Sequence, residues 1–194
     1  PSADAPLVRY SHPDWPMKQC TNCDLIFLEW VPNYSALYDE IGWTKQHKIE
    51  EDRRLKQQPI LARLDMMTRW RLGILGEATP AGGMKGFAKP GPVLDVGCSN
   101  GKAFAELAPG YIPYGIEIES SAAAKARAIF EPRGGKVVNA DGVSGLAQLP
   151  DDFFAGITLW SYLEHEARPR EALEQTLRVL KQDGVALVKV PNYA

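Results

Sequence analysis

The sequence has few of the features that mark secreted, membrane or nucleic-acid-binding proteins. Its 194 residues include only three cysteines, and this odd number without a disulfide-like framework favours a reducing compartment. The longest strongly apolar stretch, around residues 153–163, is interrupted and too short to span a bilayer. A formal net charge of −2 gives no electrostatic case for nucleic acid. Because no basic and apolar leader opens the chain, we expect a cytoplasmic protein without membrane or nucleic-acid partners.

Composition divides the chain into three predicted segments. Residues 1–44 are rich in proline and aromatic residues, contain a Cys-x-x-Cys pair and show little periodicity, so we predict a cap segment. Residues 45–91 begin with a helical pattern of apolar residues at steps of three and four. They end in a stretch so dense in glycine and proline, at 76–92, that it predicts a linker or long loop. Residues 92–194 form the third segment.

The third segment alternates short apolar stretches with amphipathic ones. We predict strands near 93–96, 114–118, 136–139, 156–160 and 185–190. We predict helices near 102–108, 120–130 and 169–181, with the last one ended by Asp183 and Gly184. Short buried strands that alternate with helices form a parallel sheet covered on both faces. The predicted fold class is therefore α/β, a Rossmann-like, doubly wound and mostly parallel sheet.

A glycine loop follows the first of these strands, in the stretch VLDVGCSNGKAF at residues 93–104. A strand, a tight turn and a helix start bring backbone N–H groups close to a polar ligand. A P-loop, which binds a nucleoside triphosphate, needs four residues between its first glycine and the Gly-Lys pair, but only three separate Gly97 from Gly101. A dinucleotide loop needs glycine at its third and sixth positions, where Ser99 and Lys102 stand. The loop thus excludes a nucleoside triphosphate and disfavours a dinucleotide. An adenosyl cofactor is the ligand that remains.

Polar residues also end the other predicted strands. Glu117 lies at the end of the second strand, where its carboxylate can accept hydrogen bonds from both hydroxyls of a ribose. Asp141 follows the third strand and can accept from the exocyclic amine of an adenine. The fourth strand is followed by Ser161, Tyr162, Glu164 and His165. Because the carboxyl ends of parallel strands share one edge of the sheet, this series favours the adenosyl cofactor.

Residues 92–192 resemble the class I S-adenosylmethionine-dependent methyltransferases. VLDVGCSNG resembles the first motif of that family, GIEIE its second-strand acidic motif and NADG its third-strand motif, while ITLWSYLEH and the segment after it resemble the rest of its sheet. The resemblance implies S-adenosylmethionine as cofactor and a small-molecule acceptor that is methylated on O, N or C. The sheet of this family usually ends in a further hairpin, which we expect to be absent because the chain stops at Ala194, just after the fifth strand.

The resemblance also implies roles for individual residues. The glycine loop would shape the pocket for the methionine part, the second-strand motif would bind the ribose, and the third-strand motif would face the adenine. The residues after strand four would contribute backbone contacts near the sulfonium. In chain order, the residues implied to bind the cofactor are Asp95, Gly97, Cys98, Ser99, Gly101, Glu117, Ile118, Asp141, Gly142, Trp160 and Ser161. Ser99 stands where many family members have glycine.

Two assignments stay open on the sequence. Cys20 and Cys23 have the spacing of zinc ligands, and their segment resembles one that precedes the catalytic domain in some of these methyltransferases. A tetrahedral site needs four ligands, however, and His12 is the one nearby third candidate. A remnant of a metal-binding pair or ordinary buried thiols are the alternatives. His165 is a candidate general base, since an imidazole titrates near neutral pH, or it caps the following helix.

Two other functions also fit parts of the sequence. A nicotinamide-dependent oxidoreductase is built on the same class of sheet, although its loop would need the missing glycines. A module that binds the cofactor without turnover is the second alternative, because binding motifs do not establish an acceptor site.

Overall fold

In a computed structural model of this chain, the described residues are 6–9, 11, 16–30, 49, 53, 56–57 and 80–191. The chain divides into two compact units, Pro1–Ala62 and Arg63–Ala194. The helical pattern predicted for residues 45–75 lies almost entirely outside the described residues. The boundaries proposed at residues 44 and 91 therefore stay predictions.

Within the first unit, the described residues form a small antiparallel hairpin. Strand β1 (Met17–Gln19) pairs with β2 (Ile26–Leu28), and Lys18 also bridges to Leu7. The Cys20 N–H donates to the Leu25 carbonyl at 2.8 Å, which closes the turn between the two strands. Both cysteines of the Cys-x-x-Cys pair therefore lie in this turn.

The second unit contains a five-stranded sheet in which every paired neighbour is parallel. Its strands are β3 (Gly91–Val96), β4 (Tyr111–Glu117), β5 (Lys136–Asn139), β6 (Phe154–Trp160) and β7 (Leu180–Lys189). Their order across the sheet is β5-β4-β3-β6-β7. From β3, the chain thus adds β4 and then β5 on one side. It then crosses to the other side of β3 and adds β6 and β7 there. This arrangement confirms the predicted fold class, and it opens a crevice at the carboxyl ends of β3 and β6, where such sheets bind ligands.

Helices cover both faces of this sheet. They are α1 (Pro80–Phe87), α2 (Lys102–Ala105), α3 (Ser120–Phe130), α4 (Gly142–Leu146) and α5 (Pro169–Val179), with 3₁₀ turns at Glu131–Arg133 and Leu163–His165. Successive residues of a strand point to opposite faces, so Val93 packs with Phe104 and Phe130 in one core. Leu94, the next residue, packs with Leu146 in the other core.

Helix α1 replaces part of the predicted linker. Pro80 opens the helix, a position where its missing N–H has no cost. The glycines then bring the helix unusually close to the sheet: a Cβ on Gly83 would lie 2.5 Å from Leu187 Cδ1, and one on Gly156 would lie 2.4 Å from Met84 Sδ. The glycine density that predicts a loop is therefore explained by close packing, which the local sequence does not reveal.

Helix α5 ends two residues earlier than predicted. The backbone passes directly from Val179 into β7 at Leu180, and the pair Asp183–Gly184 lies inside the strand. The N–H groups of Asp152 and Phe153 donate to carbonyls of the last turn of α5, at 3.1 and 2.9 Å. These bonds satisfy the carbonyls that a helix end leaves open and direct the chain into the sheet. The pairing of β6 with β7 is irregular there, between Phe154 and Gly156.

Helix α2 is also shorter than predicted, because Arg133 satisfies the carbonyls at its end. The guanidinium donates to the carbonyl oxygens of Phe104 at 3.2 Å, Leu107 at 2.8 Å and Tyr111 at 3.3 Å. These bonds hold residues 106–111 in a non-helical path and thereby fix where β4 begins.

Candidate functional site

The glycine loop between β3 and α2 is held tightly over the end of the neighbouring strand. Gly97 and Gly101 have φ angles of 79° and 77°, in the left-handed region that glycine adopts without steric cost. Ser99 has φ 48°, so this position has a conformation that favours glycine. The N–H groups of Gly97 and Cys98 both donate to the Ile116 carbonyl, at 2.9 and 3.0 Å. The start of the loop is therefore bonded to Ile116, close to the carboxyl end of β4.

The Cys98 side chain is buried beneath this loop and supports it by packing. Only 3% of the residue is exposed, and burial raises the pKa of its thiol. A thiol held neutral in this way is a poor nucleophile. Cys98 therefore contributes its small volume and its backbone to the loop.

Glu117 joins the glycine loop to the start of α3. One carboxylate oxygen accepts from the Ser99 N–H at 2.8 Å, and the other accepts from the Glu119 N–H at 2.9 Å. The Asn139 side chain then donates to the carbonyls of Glu117 and Ile118, at 2.8 and 2.9 Å. A carboxylate has about four acceptor positions, so two backbone bonds leave Glu117 able to accept two further hydroxyl hydrogens.

Asp95 is buried within the sheet, two residues before Gly97 begins the loop. It is 4% exposed, it pairs with Thr158 across β3 and β6, and the Thr158 hydroxyl donates to its Oδ1 at 2.5 Å. Burial raises the pKa of Asp95 to about 7, and the nearby charge of Glu117 acts in the same direction. The geometry therefore gives Asp95 a partner within the sheet, which the sequence motif alone does not show.

The raised pKa of Asp95 predicts a loss of stability with increasing pH. Because the folded state binds this proton more tightly than the unfolded state, the stabilisation is complete below pH 3.8 and is lost as pH rises through about 7. Asp95→Asn keeps an oxygen that accepts from Thr158 but cannot ionise. Between pH 4 and pH 8, wild type should lose about 4 kcal/mol of unfolding free energy relative to this variant. Urea unfolding of both proteins at each pH measures this difference. If the unfolding free energies of wild type and Asp95→Asn change equally with pH, the raised pKa of Asp95 is wrong.

Asp141 begins helix α4, which the sequence analysis did not predict. Its carboxylate accepts from the Ser144 N–H at 3.0 Å and from Arg168 at 3.2 Å. Burial alone would raise the pKa of Asp141, but the hydrogen bonds from Ser144 and the charge of Arg168 together lower it. The side chain is therefore an ionised helix cap, and Gly142 follows it as the first residue of the helix.

The ring of Tyr162 lies between the glycine loop and α4. A Cβ on Gly97 would lie 3.1 Å from Tyr162 Cδ2, and one on Gly142 would lie 1.9 Å from the tyrosine oxygen. The hydroxyl donates to the Glu166 carboxylate, which also accepts from the Arg168 N–H at 2.9 Å. Tyr162 is thus a residue of the site for which the sequence analysis assigned no role, although its place just after a strand end was a signal.

Trp160, Ser161 and Lys189 form the other side of this edge. Trp160 and Lys189 are directly paired residues of β6 and β7, and the Lys189 Nζ lies 5.0 Å from the centroid of the Trp160 ring. Ser161 has φ 53° and donates its N–H to the Lys189 carbonyl at 2.9 Å. His165 lies further along the same loop and is exposed, with its N–H bonded to the Tyr162 carbonyl at 2.9 Å. Its action as a base stays a prediction.

The cysteine pair of the first unit forms no larger cluster in the part of the chain that the structure describes. Backbone hydrogen bonds from Asn22 and Cys23 lower the pKa of the Cys20 thiol. No group of three or more His, Cys, Asp or Glu side chains able to hold a metal occurs among the described residues. His12, the third candidate ligand, lies outside them. The structure therefore does not support the zinc prediction.

The helices of the described residues are all too short or too polar to cross a membrane.

The sheet order, the glycine loop after the central strand and the carboxylate after the next strand are typical of α/β domains that bind a nucleotide-type cofactor at the carboxyl edge of the sheet. Residues 94–188 match a family model described as a methyltransferase domain. This match confirms the resemblance of the motifs in residues 92–192 to the class I S-adenosylmethionine-dependent methyltransferases.

Solved structures resemble this chain over 54% to 80% of its length. An S-adenosylmethionine-dependent methyltransferase from Archaeoglobus fulgidus is 25% identical over 68% of this chain and 54% of its own, with a TM-score of 0.49. The YcgJ protein from Bacillus subtilis is 24% identical over 60% and 48%, with a TM-score of 0.47. One chain of a Haloferax volcanii complex, between the Trm112 methyltransferase activator and a protein described as a methyltransferase, is 19% identical over 80% and 59%, with a TM-score of 0.53.

At this level of similarity, the likenesses show no more than a shared fold. The chain spans about half the length of the first solved structures that it matches. Among curated protein sequences, none matches it significantly.

Proposed function

We propose that this protein transfers a methyl group from S-adenosylmethionine to O, N or C of a small-molecule acceptor. The observation that carries the proposal is the Glu117 carboxylate, fixed by the N–H groups of Ser99 and Glu119 at the end of β4. Two hydrogen bonds hold it in place before any ligand arrives, so a ribose would meet an oriented acceptor for both of its hydroxyls.

The residues around Glu117 fit the rest of such a cofactor. The glycine loop would face the methionine part, Ile118 offers an exposed apolar side chain beside the ribose position, and Asp141 would face the adenine. When bound, the cofactor supplies a methyl group already activated on a sulfonium. The protein therefore needs to align the acceptor and, where the acceptor carries a proton, to remove it. This division of work requires no catalytic metal cluster.

The proposal requires the ring of Tyr162 to move when the cofactor binds. This ring occupies the space between Gly97 and Gly142, which is the space between the proposed methionine and adenine positions. Binding would therefore displace the ring and release its hydroxyl from Glu166. Because Glu166 is bonded to Arg168, and Arg168 to Asp141, the displacement would be transmitted to the proposed adenine side of the pocket.

The proton-removing group in this proposal is His165. It lies on the same loop as Tyr162, close to the end of β6, and its exposed imidazole can accept a proton from a bound acceptor. We also retain the predicted cytoplasmic location as part of the proposal. It is supported by the three cysteines, which are all free thiols in this structure.

Titration calorimetry with S-adenosylmethionine and, separately, with NADH tests the proposed cofactor. We expect micromolar binding of S-adenosylmethionine and no heat from NADH. Binding of NADH alone would instead support the oxidoreductase. Binding of S-adenosylmethionine without methyl transfer to any acceptor, in a screen with radiolabelled cofactor, would support the non-catalytic module.

A further inference from the structure

We propose that the methyl acceptor is a flat molecule with an anionic group, such as a carboxylate, which Lys189 binds beside the face of Trp160. This inference rests on the proposed function and specifies the acceptor that this function leaves open.

The order of the strands places Lys189 on the acceptor side of the site. Asp141 follows β5, Glu117 ends β4, and the glycine loop follows β3. A cofactor with its adenine toward Asp141 and its ribose at Glu117 therefore directs its methionine end across β3 toward β6. The acceptor must reach the methyl group from beyond that end. The residues that end β6 and β7 there are Trp160 and Lys189.

The two residues form one surface. They are directly opposite each other in the ladder between β6 and β7, so their side chains emerge on the same face. The Lys189 ammonium lies over the indole ring, 5.0 Å from its centroid, and attraction to the ring keeps it there. The Ser161 N–H donates to the Lys189 carbonyl at 2.9 Å, so the hydrogen bonding between the two strands continues one residue past the end of β6. This bond fixes the backbone next to Trp160 and at Lys189.

The charge of Lys189 is available to a ligand. Within residues 80–191, the ion pairs involve Lys89, Arg168, Arg170 and Arg178. Lys189 is exposed, and its interaction in this structure is with the Trp160 ring rather than with a carboxylate. An ammonium over an aromatic face, at the edge where the acceptor arrives, suits a flat molecule that packs beside the indole and presents an oxyanion to the lysine.

Benzoate and benzamide are a matched pair of probes for this surface, since they share size and shape and differ in charge. Their binding to the protein saturated with S-adenosylhomocysteine can be measured by ligand-detected NMR at low ionic strength. We expect benzoate to bind at least tenfold more tightly than benzamide, and added salt to weaken benzoate alone.

Variants separate the contributions of charge and packing. Lys189→Met should weaken benzoate at least tenfold and leave benzamide unchanged, while Lys189→Arg should retain benzoate binding. Trp160→Leu should weaken both probes. Lys125→Met, an exposed lysine on α3, is the matched control and should change neither. Unchanged benzamide binding in Lys189→Met also shows that this variant is folded.

The proposal is overturned if benzoate fails to bind, if it binds no better than benzamide, or if Lys189→Met binds it as wild type does. Calorimetry with S-adenosylhomocysteine, made first on the same samples, separates this failure from failure of the proposed function. Normal nucleoside binding with no preference for benzoate contradicts the anionic acceptor alone. If S-adenosylhomocysteine does not bind, the proposed methyltransferase function is contradicted.

Discussion

Gly101→Ala is expected to lower the free energy of unfolding by about 3 kcal/mol. Gly101 has φ 77°, a left-handed conformation that costs roughly 1–2 kcal/mol for a residue with a Cβ. The added Cβ would also lie 2.9 Å from the Ala126 Cα and 3.1 Å from Phe130 Cε1. Because one of these atoms belongs to the backbone of α3, relief requires the helix or the loop to move.

Gly86→Ala is the matched control for this experiment. Gly86 lies in α1, and a Cβ there would meet no atom within 4 Å. The same substitution should therefore stabilise the protein by about 0.5–1 kcal/mol, through the higher helix propensity of alanine. Urea unfolding of both variants measures the contrast. Equal stabilities for Gly101→Ala and wild type would show that the loop is not locked against α3.

The sequence predicts the part of the site that neighbouring residues determine. A buried strand, a glycine loop and a following helix are encoded within residues 93–104, so their pattern is readable locally. Glu117 is readable for the same reason, since it ends an apolar strand and precedes a helix start. Five parallel strands with helices between them leave few alternatives for the fold.

Long-range contacts account for what the sequence did not predict. Helix α1 depends on the close approach of Gly83 and Gly156 to distant side chains, so its glycines are typical of a loop when read locally. The inward position of Asp95 depends on Thr158, a residue 63 positions later. Thr158 is a polar residue in an otherwise apolar strand, and that exception was the available signal. Tyr162 and Lys189 gain their roles only from the sheet order.

Glu117→Ala is expected to weaken binding of S-adenosylmethionine by at least about 100-fold. The substitution removes the proposed acceptor of two ribose hydroxyls, and hydrogen bonds to a charged group contribute about 1.5–3 kcal/mol each. It also removes the bonds from the N–H groups of Ser99 and Glu119, so the glycine loop loses its link to the start of α3. Calorimetry on the folded variant measures the effect.

Two further variants separate binding from loop stability. Glu117→Gln keeps one acceptor oxygen but turns an amide group toward a backbone N–H, so its affinity should fall between those of alanine and wild type. Glu174→Ala removes an exposed carboxylate that pairs with Arg170 on α5, away from the site, and should bind the cofactor normally. If Glu117→Ala instead bound S-adenosylmethionine as tightly as wild type, the ribose would not lie at the end of β4. The cofactor assignment would then have to be made at another strand end, because the two backbone hydrogen bonds would give Glu117 a role in the fold only.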